Sequence, residues 1–508
     1  MSFIKEFAVP FLFVVFLVSR YWSLRTTRSL NVPTVTFAPF VPNFVTRLLF
    51  FVGGRYLVHK GYKKYKDIPF RILKVDGDVI VLPVKYLPQI RLLDHTHISL
   101  IDAQSASVCG EYINILLGTS LPSITVGKKM TPALNRLIPR VIDELDHAFA
   151  VELPKCEEDW SQINFYFTIL RLITRSTSRI IVGDNLCRDE EWLQTITKYS
   201  EKLGLTLVCL RPLPLFLRPL AAKLLPSVRY LKKTLEHVKD DIFVPVILAR
   251  REAEAYDRKY QKPDDFIQWM MDTADNDFDR EPGNIAYGVM AIMALAITHT
   301  TTMLITQGLY DLMIHPEYLQ PLKREIRSTL KSGWANATVR DFTSQRLMDS
   351  FLRESQRLNP SSEYNVHRMT KQPIIFTDGF TLPTGTYFVF PSGPLSLDPS
   401  FVKKPLIFDG YRWCREQSLM TQTQTRNYQS LVTINETNLH FGYGRDACPG
   451  RFFAAHASKA LLCRLLIEYD IKLLDDQDGV RPANIRNGEH VIPNIFTQVL
   501  VQKSGETI

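Results

Sequence analysis

A lone cysteine lies in a glycine-rich turn directly before a helical segment. Residues 441–450 read FGYGRDACPG, and the run that follows, RFFAAHASKALL, has the composition of a helix. The amides and the dipole at a helix N-terminus favour thiolate over thiol, which makes Cys448 a candidate ligand. A buried structural cysteine is the commoner situation, but the spacing F-x2-G-x3-C-x-G should arise by chance in on the order of one such chain in a thousand.

The composition indicates an ordered protein that is not built to bind nucleic acid. The chain has 508 residues, 45% of them hydrophobic, and Lys plus Arg exceed Asp plus Glu by 61 to 52. That excess of positive charge is too dilute for a nucleic-acid binder. It is compatible with a basic face that contacts an acidic protein or an anionic membrane. The 7 cysteines are an odd number without a CxxC pair. We therefore expect neither a disulfide framework nor a zinc site. The cysteines indicate that the protein resides in a reducing compartment.

The amino terminus carries an uncharged run, Phe7–Ser19, with basic residues around it. Extended to Trp22, this run could span a bilayer. The bulky sequence Arg20-Tyr21-Trp22 stands where a cleaved signal peptide needs small residues, which favours an anchor. Because further arginines follow, the positive-inside rule leaves the rest of the chain in the cytosol. We predict a single-pass anchor at residues 1–30, in the endoplasmic reticulum.

The rest of the chain is predicted to be mainly α with a small β part. Prolines break the apolar residues 31–52, which we interpret as an interfacial linker, and residues 53–508 as one catalytic domain. The segment RILKVDGDVIVLP, turning at Asp76-Gly77, predicts a β-hairpin. Residues 135–330 have a helical pattern, and residues 363–394 read as strands and turns.

Two apolar segments each allow two interpretations. Ile285–Tyr310 has no Asp, Glu, Lys or Arg, and on length it could be a second transmembrane helix. His299 and a cluster of threonines near its middle favour a helix buried in a protein core. Leu203–Leu225 is apolar and interrupted by prolines, and it is either a core loop or a membrane-facing entrance.

Several motifs together resemble the cytochrome P450 family. Phe441, Gly444, Cys448 and Gly450 match its haem-binding signature, in which the cysteine thiolate is the axial ligand of the haem iron. The resemblance implies the cytochrome P450 fold and haem b, iron protoporphyrin IX, as cofactor. Arg445, beside the signature, is a further candidate for cofactor binding.

Three arginines and a glutamate extend the resemblance. LRESQRLNP contains the Glu-x-x-Arg pair of the family's K helix, at Glu354 and Arg357. Arg412 in FDGYRW is similar to the arginine that completes a buried ion network with this pair. Arg368 in VHRMT matches the arginine that the family directs at a haem propionate. The family's Trp-x-x-x-Arg frame on the C helix is not visible, and its replacement stays open among four basic residues: Lys128, Lys129, Arg136 and Arg140.

The uncharged helix resembles the family's distal helix, which lines the dioxygen side of the haem. Ala296-Ile297-Thr298-His299-Thr300 aligns with its pattern, and Thr300 corresponds to the hydroxyl on the oxygen side. Ile297 replaces a small residue, and His299 replaces an acid. Histidine followed by several threonines resembles fungal, ent-kaurene-oxidase-like members that oxidise secondary metabolites. His299 is either a proton relay or a satisfied core histidine.

The resemblance implies a membrane-bound monooxygenase of a lipophilic secondary metabolite, with a terpenoid or meroterpenoid favoured over an indole alkaloid or a polyketide. It implies NADPH used indirectly, through NADPH-cytochrome P450 reductase, with cytochrome b5 as a further candidate donor. No glycine-rich dinucleotide motif of the chain's own follows a predicted strand. The alternatives are a reductase-independent isomerase or dehydratase, and a non-catalytic haem-binding protein.

Asp446 is the residue of the cysteine loop that fits the resemblance least. The family usually has Arg or His at this position, facing a haem propionate, and an acid there would repel the propionate. We expect either that Arg445 turns inward or that Asp446 meets a neighbouring basic group. On this view Asp446→His should keep or improve the retention of haem.

Overall fold

The computed structural model describes residues 30–115, 118–184, 186–418, 429–474 and 479–507. The predicted membrane anchor lies outside these residues, apart from residue 30. Within the described part, the prediction of a mainly helical protein with a small β part is confirmed.

The helices of the first half of the chain surround the later core helix. In chain order they are α1 (Asn43–Lys64), α2 (Leu87–Leu92), α3 (Leu100–Ser107), α4 (Gly110–Ile113), α5 (Leu121–Thr125), α6 (Leu134–Glu152), α7 (Phe165–Ile181), α8 (Glu190–Leu210), α9 (Arg218–Leu224), α10 (Pro226–His237), α11 (Val244–Tyr256), α12 (Phe266–Thr273) and α13 (Asp277–Arg280). Side-chain caps begin two of the long ones: Asn164 accepts from the Phe167 amide before α7, and Asp189 accepts from the Trp192 amide before α8.

The helices of the second half carry most of the recognised motifs. They are α14 (Pro282–Ala291), α15 (Thr298–Ile314), α16 (Leu319–Thr329), α17 (Val339–Ser344), α18 (Arg346–Leu358), α19 (Ser392–Ser396), α20 (Arg412–Ser418) and α21 (Arg451–Glu468). A π-helical stretch, Ile292–Ile297, joins α14 to α15 into one long helix. Single-turn π-bulges of this kind often mark functional sites.

The strands form one sheet of six and three smaller ones. They are β1 (Thr34–Val35), β2 (Phe70–Ile72), β3 (Val79–Val81), β4 (Ile98–Ser99), β5 (Ser161–Asn164), β6 (Asn365–Thr370), β7 (Ile374–Ile375), β8 (Thr381–Leu382), β9 (Tyr387–Phe390), β10 (Tyr469–Leu473), β11 (Ile485–Asn487), β12 (His490–Ile492) and β13 (Gln498–Lys503). The large sheet has the order β1-β2-β3-β9-β6-β4, and β10-β13-β5 form a second. The predicted hairpin is confirmed, because β2 and β3 pair antiparallel.

Helix α1 crosses the predicted border between linker and catalytic domain. It runs without interruption from Asn43 to Lys64, so residues 43–52 belong to the same helix as the residues that follow. Its carboxyl-terminal part packs on the large sheet, where a Cβ on Gly61 would clash with the ring of Phe70. The division of the chain into anchor, linker and catalytic domain stays a prediction.

The long helix Pro282–Ile314 is the one helix among the described residues that is apolar and long enough to cross a membrane. Most of its apolar stretch is buried inside the protein, against α7, α18 and α21. At its closest approach to α18, a Cβ on Gly308 would lie 2.8 Å from a methyl group of Leu352. These contacts favour the interpretation as a core helix.

A buried ion network joins α18 to the irregular segment that precedes the cysteine loop. Both Glu354 oxygens accept from Arg357, at 2.7 and 2.9 Å, and from Arg412, at 3.1 Å. Glu354 is fully buried, and the arginines are nearly so. Arg357 also donates to the carbonyls of Ser396 and Pro405. The arginines thus cross-link the backbone of residues 396–412 through one carboxylate.

A second buried charge cluster joins the end of α8 to the sheets. Arg211 donates to Glu489 and Asp76, at 2.5 and 3.3 Å, and Lys74 donates to Glu489 at 3.1 Å. Burial alone would raise the pKa of Glu489, but Arg211 and Lys74 hold it well below its usual value. The cluster ties the segment after α8 to the hairpin turn at Asp76.

We expect Glu354→Gln to destabilise the protein strongly, because it leaves two buried guanidinium groups without a counter-charge. Breaking a buried ion pair from one side costs about 3–5 kcal/mol. Thermal unfolding and the yield of haem-loaded protein measure the effect. The control is Glu157→Gln, which removes an exposed partner of Lys503 and should change little. Equal behaviour of the two variants would contradict the structural role of Glu354.

Candidate active site

The cysteine loop turns twice through glycines before it enters α21. Gly442 and Gly444 have φ values of +80° and +72°, which favour glycine. A Cβ on Gly442 would lie 3.3 Å from the Ala447 Cα, because the two arms of the loop run close together. The Cys448 amide donates to the Phe441 carbonyl at 2.8 Å and closes the loop. Gly450 is the N-cap of α21, so the thiol lies at the mouth of that helix.

The surroundings of the Cys448 thiol do not by themselves favour a thiolate. Burial raises the pKa of Cys448, and the amides of Gly450 and Arg451 offset this only in part. The amides at the helix N-terminus thus lower the pKa of Cys448, as the sequence suggested, but burial raises this pKa by more. The side chain nevertheless has an exposed surface. A metal ion bound at this position would supply the missing stabilisation of the thiolate.

The distal helix has a solvent-accessible face in the middle of an otherwise buried element. Ala296 and Thr300 are exposed, whereas Met293, Ala294 and Thr298 around them are buried. Residues four apart lie on one side of a helix, so the two open positions share a face. The Thr300 hydroxyl donates to the Ala296 carbonyl at 2.5 Å, which leaves its lone pairs free to accept. Ile297 is half-buried and packs against the core.

His299 lies on a different side of the distal helix from Thr300. Consecutive residues of a helix are about 100° apart, and the imidazole packs between α7 and α8. Its Nδ1 is 3.0 Å from the hydroxyl of Tyr166, a residue that the sequence did not suggest. Burial lowers the pKa of His299, and a contact with the Ser200 backbone offsets this in part. The structure therefore does not bring His299 to the open face that holds Thr300.

Arg368 is a buried cation on β6. Inward-facing positions alternate along this strand, and Arg368 takes one of them, at 3% exposure. The register of β6 against β9 shifts between Asn365 and Arg368, and Val366 adopts φ +57° there. Such irregularities redirect side chains, and positive φ is unusual for a β-branched residue. The sequence motif did not predict this distortion.

Asp446 forms an ion pair with Arg368. Its Oδ2 is 3.2 Å from a terminal guanidinium nitrogen, and only 15% of the Asp446 side chain is exposed. Arg445 is exposed in the same short turn, Gly444–Asp446. Of the two arrangements expected for this turn, the described structure contains the one in which Asp446 meets a basic group.

The four candidates for the missing C-helix arginine separate into two groups. Arg136 pairs with Asp264, and Arg140 donates to the Asp264 carbonyl, away from the cysteine loop. Lys128 and Lys129 are exposed in a π-helical stretch that packs on the loop. Thr131, just after this stretch, donates to the Pro449 carbonyl at 3.0 Å. The lysines therefore lie beside the cysteine loop, and which of the four replaces the arginine stays a prediction.

These residues fit a haem group of thiolate type. The fit rests on an orphaned donor, since the Arg368 Nε–H is buried and has no hydrogen-bond partner. A buried guanidinium N–H of this kind suits a carboxylate such as a propionate. The thiol of Cys448 and the hydroxyl of Thr300 are both accessible. The residues that would hold the group are thus Cys448 and Arg368, from two separate elements.

Comparison with known proteins agrees with this site. Residues 120–494 match the family described as Cytochrome P450. The chain is 42% identical to cytochrome P450 monooxygenase AtmP of Aspergillus flavus over 94% of this chain and 90% of that protein. It is 40% identical to paxP of Penicillium paxilli, over 94% and 91%, and to penP of Penicillium crustosum, over 97% and 94%, both also cytochrome P450 monooxygenases. With its thiol loop and its distal threonine, the chain belongs to the cytochrome P450 family of monooxygenases.

Proposed function

We propose that this monooxygenase oxidises a lipophilic terpenoid or meroterpenoid intermediate at a haem group held by Cys448. The observation that carries the proposal is the accessible thiol at the mouth of α21, together with an open hydroxyl face on the distal helix. When bound, a thiolate-ligated haem favours cleavage of the O–O bond and so supplies an oxidant for unactivated C–H bonds. The chain's own residues bind and orient the substrate and the cofactor, and they exclude competing reactions.

Thr300 is the proposed proton-handling residue. Because its hydroxyl hydrogen is engaged by the Ala296 carbonyl, its oxygen is oriented to accept from a water on the open face. Such a water can pass protons towards the reacting oxygen. His299 reaches Tyr166 instead, which supports a positioning role over the relay considered from the sequence.

Electrons are proposed to arrive from NADPH through a flavoprotein reductase, with cytochrome b5 as a second candidate donor. Lys128 and Lys129 are exposed in the stretch that packs on the cysteine loop, and Arg445 is exposed within the loop itself. A basic patch of this kind suits an acidic electron-transfer partner, and it should make association dependent on ionic strength.

The substrate preference rests on apolar positions around the distal helix. Met290 and Ala294 of the long helix, Val366 of β6 and Val491 of β12 are fully or almost fully buried. An isolated bridge between Ser362 and His490 brings β12 next to the segment that leads into β6. An apolar lining with few polar groups suits a polycyclic hydrocarbon skeleton. The same lining would also accept an indole alkaloid or a polyketide, which remain the alternatives.

Membrane attachment is proposed to involve more than the amino-terminal anchor. Leu220 and Leu224 of α9 are 59% and 67% exposed, and Val52 of α1 is 74% exposed. Pro212 and Leu48 line a common depression, which makes the two regions neighbours. Apolar surface of this extent on one side favours contact with a lipid bilayer. It therefore supports the membrane-facing interpretation of Leu203–Leu225.

Turnover of a defined panel tests the proposed function. Membranes containing the full chain and a reductase, given NADPH, dioxygen and a set of terpenoids and meroterpenoids, should add one oxygen atom to at least one compound. Mass spectrometry detects the product, and the controls omit NADPH or reductase. Conversion of a compound in the absence of NADPH or of the reductase would indicate an isomerase or a dehydratase. Turnover of alkaloids or polyketides alone would contradict the terpenoid assignment.

Coupling of electron use to product formation distinguishes Thr300 from His299. Thr300→Ala should lower the product formed per NADPH and raise hydrogen peroxide, since it removes the oxygen that orders water. His299→Asn, which keeps a hydrogen-bonding group towards Tyr166 but cannot titrate near neutral pH, should leave the ratio nearly unchanged. A comparable loss of coupling in both variants would instead establish His299 as a relay.

Flotation with lipid vesicles tests the second membrane contact. A chain beginning at residue 30 should still float with the vesicles, because apolar side chains of α1 and α9 enter the bilayer. Leu220→Glu combined with Leu224→Glu should weaken the association. Leu248→Glu is the matched control, since Leu248 is 50% exposed on α11. A truncated chain that remained fully soluble would contradict the proposal.

A further inference from the structure

The guanidinium group of Arg368 has three nitrogens in three different situations. One terminal nitrogen donates to the His367 carbonyl at 2.7 Å, and the other pairs with Asp446 at 3.2 Å. The third, Nε, has no partner and is buried. Two protein contacts therefore fix the plane of the group and leave Nε as its one nitrogen without a hydrogen-bond partner. The guanidinium group is planar and its N–H directions are fixed, so its nitrogens can serve different partners. A lysine ammonium group rotates freely and has no such fixed directions.

Asp446 is also the counter-charge of Arg368. Among the described residues it is the one carboxylate that forms an ion pair with this arginine. A buried cation without such a partner would be costly, because its hydration is lost. The pair joins β6 to the turn two residues before Cys448, so it links the thiol loop directly to the arginine. The sequence suggested a basic partner for Asp446 but did not identify it as Arg368.

We propose that Asp446 is a positioning residue, which holds Arg368 so that its Nε–H is the donor offered to a haem propionate. The proposal rests on the haem site proposed above and adds to it the role of an acid at a position where a base was expected. Before the cofactor binds, Asp446 neutralises the buried guanidinium group. Once a propionate is bound, two carboxylates share the single positive charge of Arg368.

The strength of haem retention distinguishes positioning from repulsion. If Asp446 orients Arg368, its removal should weaken the hold on the cofactor, although a negative charge near the propionate has gone. If Asp446 mainly repels the propionate or competes for Arg368, its removal should strengthen that hold. The loss of a negative charge beside Arg368 should also raise the reduction potential of the haem. The two effects are measured independently of turnover.

The test compares the full-length haem-loaded wild-type protein with Asp446→Asn, Asp446→Glu and Arg368→Lys. Transfer of haem to excess apomyoglobin gives the rate of haem loss, and spectroelectrochemistry gives the reduction potential. Asp446→Asn should lose haem about tenfold faster, the size expected for one charge-assisted hydrogen bond, and its potential should shift upwards. Asp446→Glu should restore both values towards those of the wild type. Arg368→Lys should lose haem faster although it keeps the charge.

Glu436→Gln is the matched control, because Glu436 lies in the same region and contacts Tyr443 rather than Arg368. Haem loss in Asp446→Asn that is equal to or slower than in this control would overturn the proposal. Faster loss in both Asp446 variants with an unchanged potential would also overturn it, since the effect would then come from folding of the loop. Asp446→His decides less, because an imidazole could itself donate to a propionate.

Failure of this proposal is separate from failure of the haem site. If the wild-type protein binds haem through a thiolate but Asp446→Asn behaves as the control, only the positioning role is wrong. If the wild-type protein has no thiolate-ligated haem, the proposed function itself is wrong.

Discussion

The fully buried carboxylate of Glu354 is the interaction on which the arrangement of the site depends. A carboxylate at this depth stays ionised only if its partners replace the lost water, and Arg357 and Arg412 do so with four hydrogen bonds of 2.7–3.1 Å. Their remaining donors bond to backbone carbonyls between residues 396 and 407. The network thereby fixes an irregular segment that has little secondary structure of its own and that precedes α20 in the chain.

Paired buried charge recurs at the other junctions of the protein. Arg211, Lys74, Asp76 and Glu489 join the end of α8 to the sheets, and Arg368 with Asp446 joins β6 to the cysteine loop. At each junction, the charged partners come from elements far apart in sequence. Directional, mutually satisfied charges give such junctions a defined geometry, which hydrophobic contact alone does not supply. The Arg368 pair differs from the others because one nitrogen of its guanidinium group, Nε, is buried without a hydrogen-bond partner.

The local patterns of the sequence were sufficient to predict much of the fold. The hairpin at Asp76-Gly77 and the helix after Cys448 follow from turn chemistry and helical composition, and both are present. The Glu354 network could be expected only through the resemblance to the family, because Arg412 is distant in the chain. That Asp446 could meet a basic group was expected, but its partner Arg368 could not be named, because the two residues are distant in the chain. The same holds for His299, whose partner Tyr166 lies on another helix.

The thiol of Cys448 shows the limit of a local argument most clearly. Its position at the start of α21 was correctly predicted, but burial outweighs the helix amides and raises its pKa. A bound iron ion would stabilise the Cys448 thiolate against this effect of burial. The most direct test is the carbon monoxide difference spectrum of the reduced protein and of Cys448→Ala. We predict the band of thiolate-ligated haem in the wild type and its loss in the variant. The same band in Cys448→Ala would contradict the assignment of the ligand.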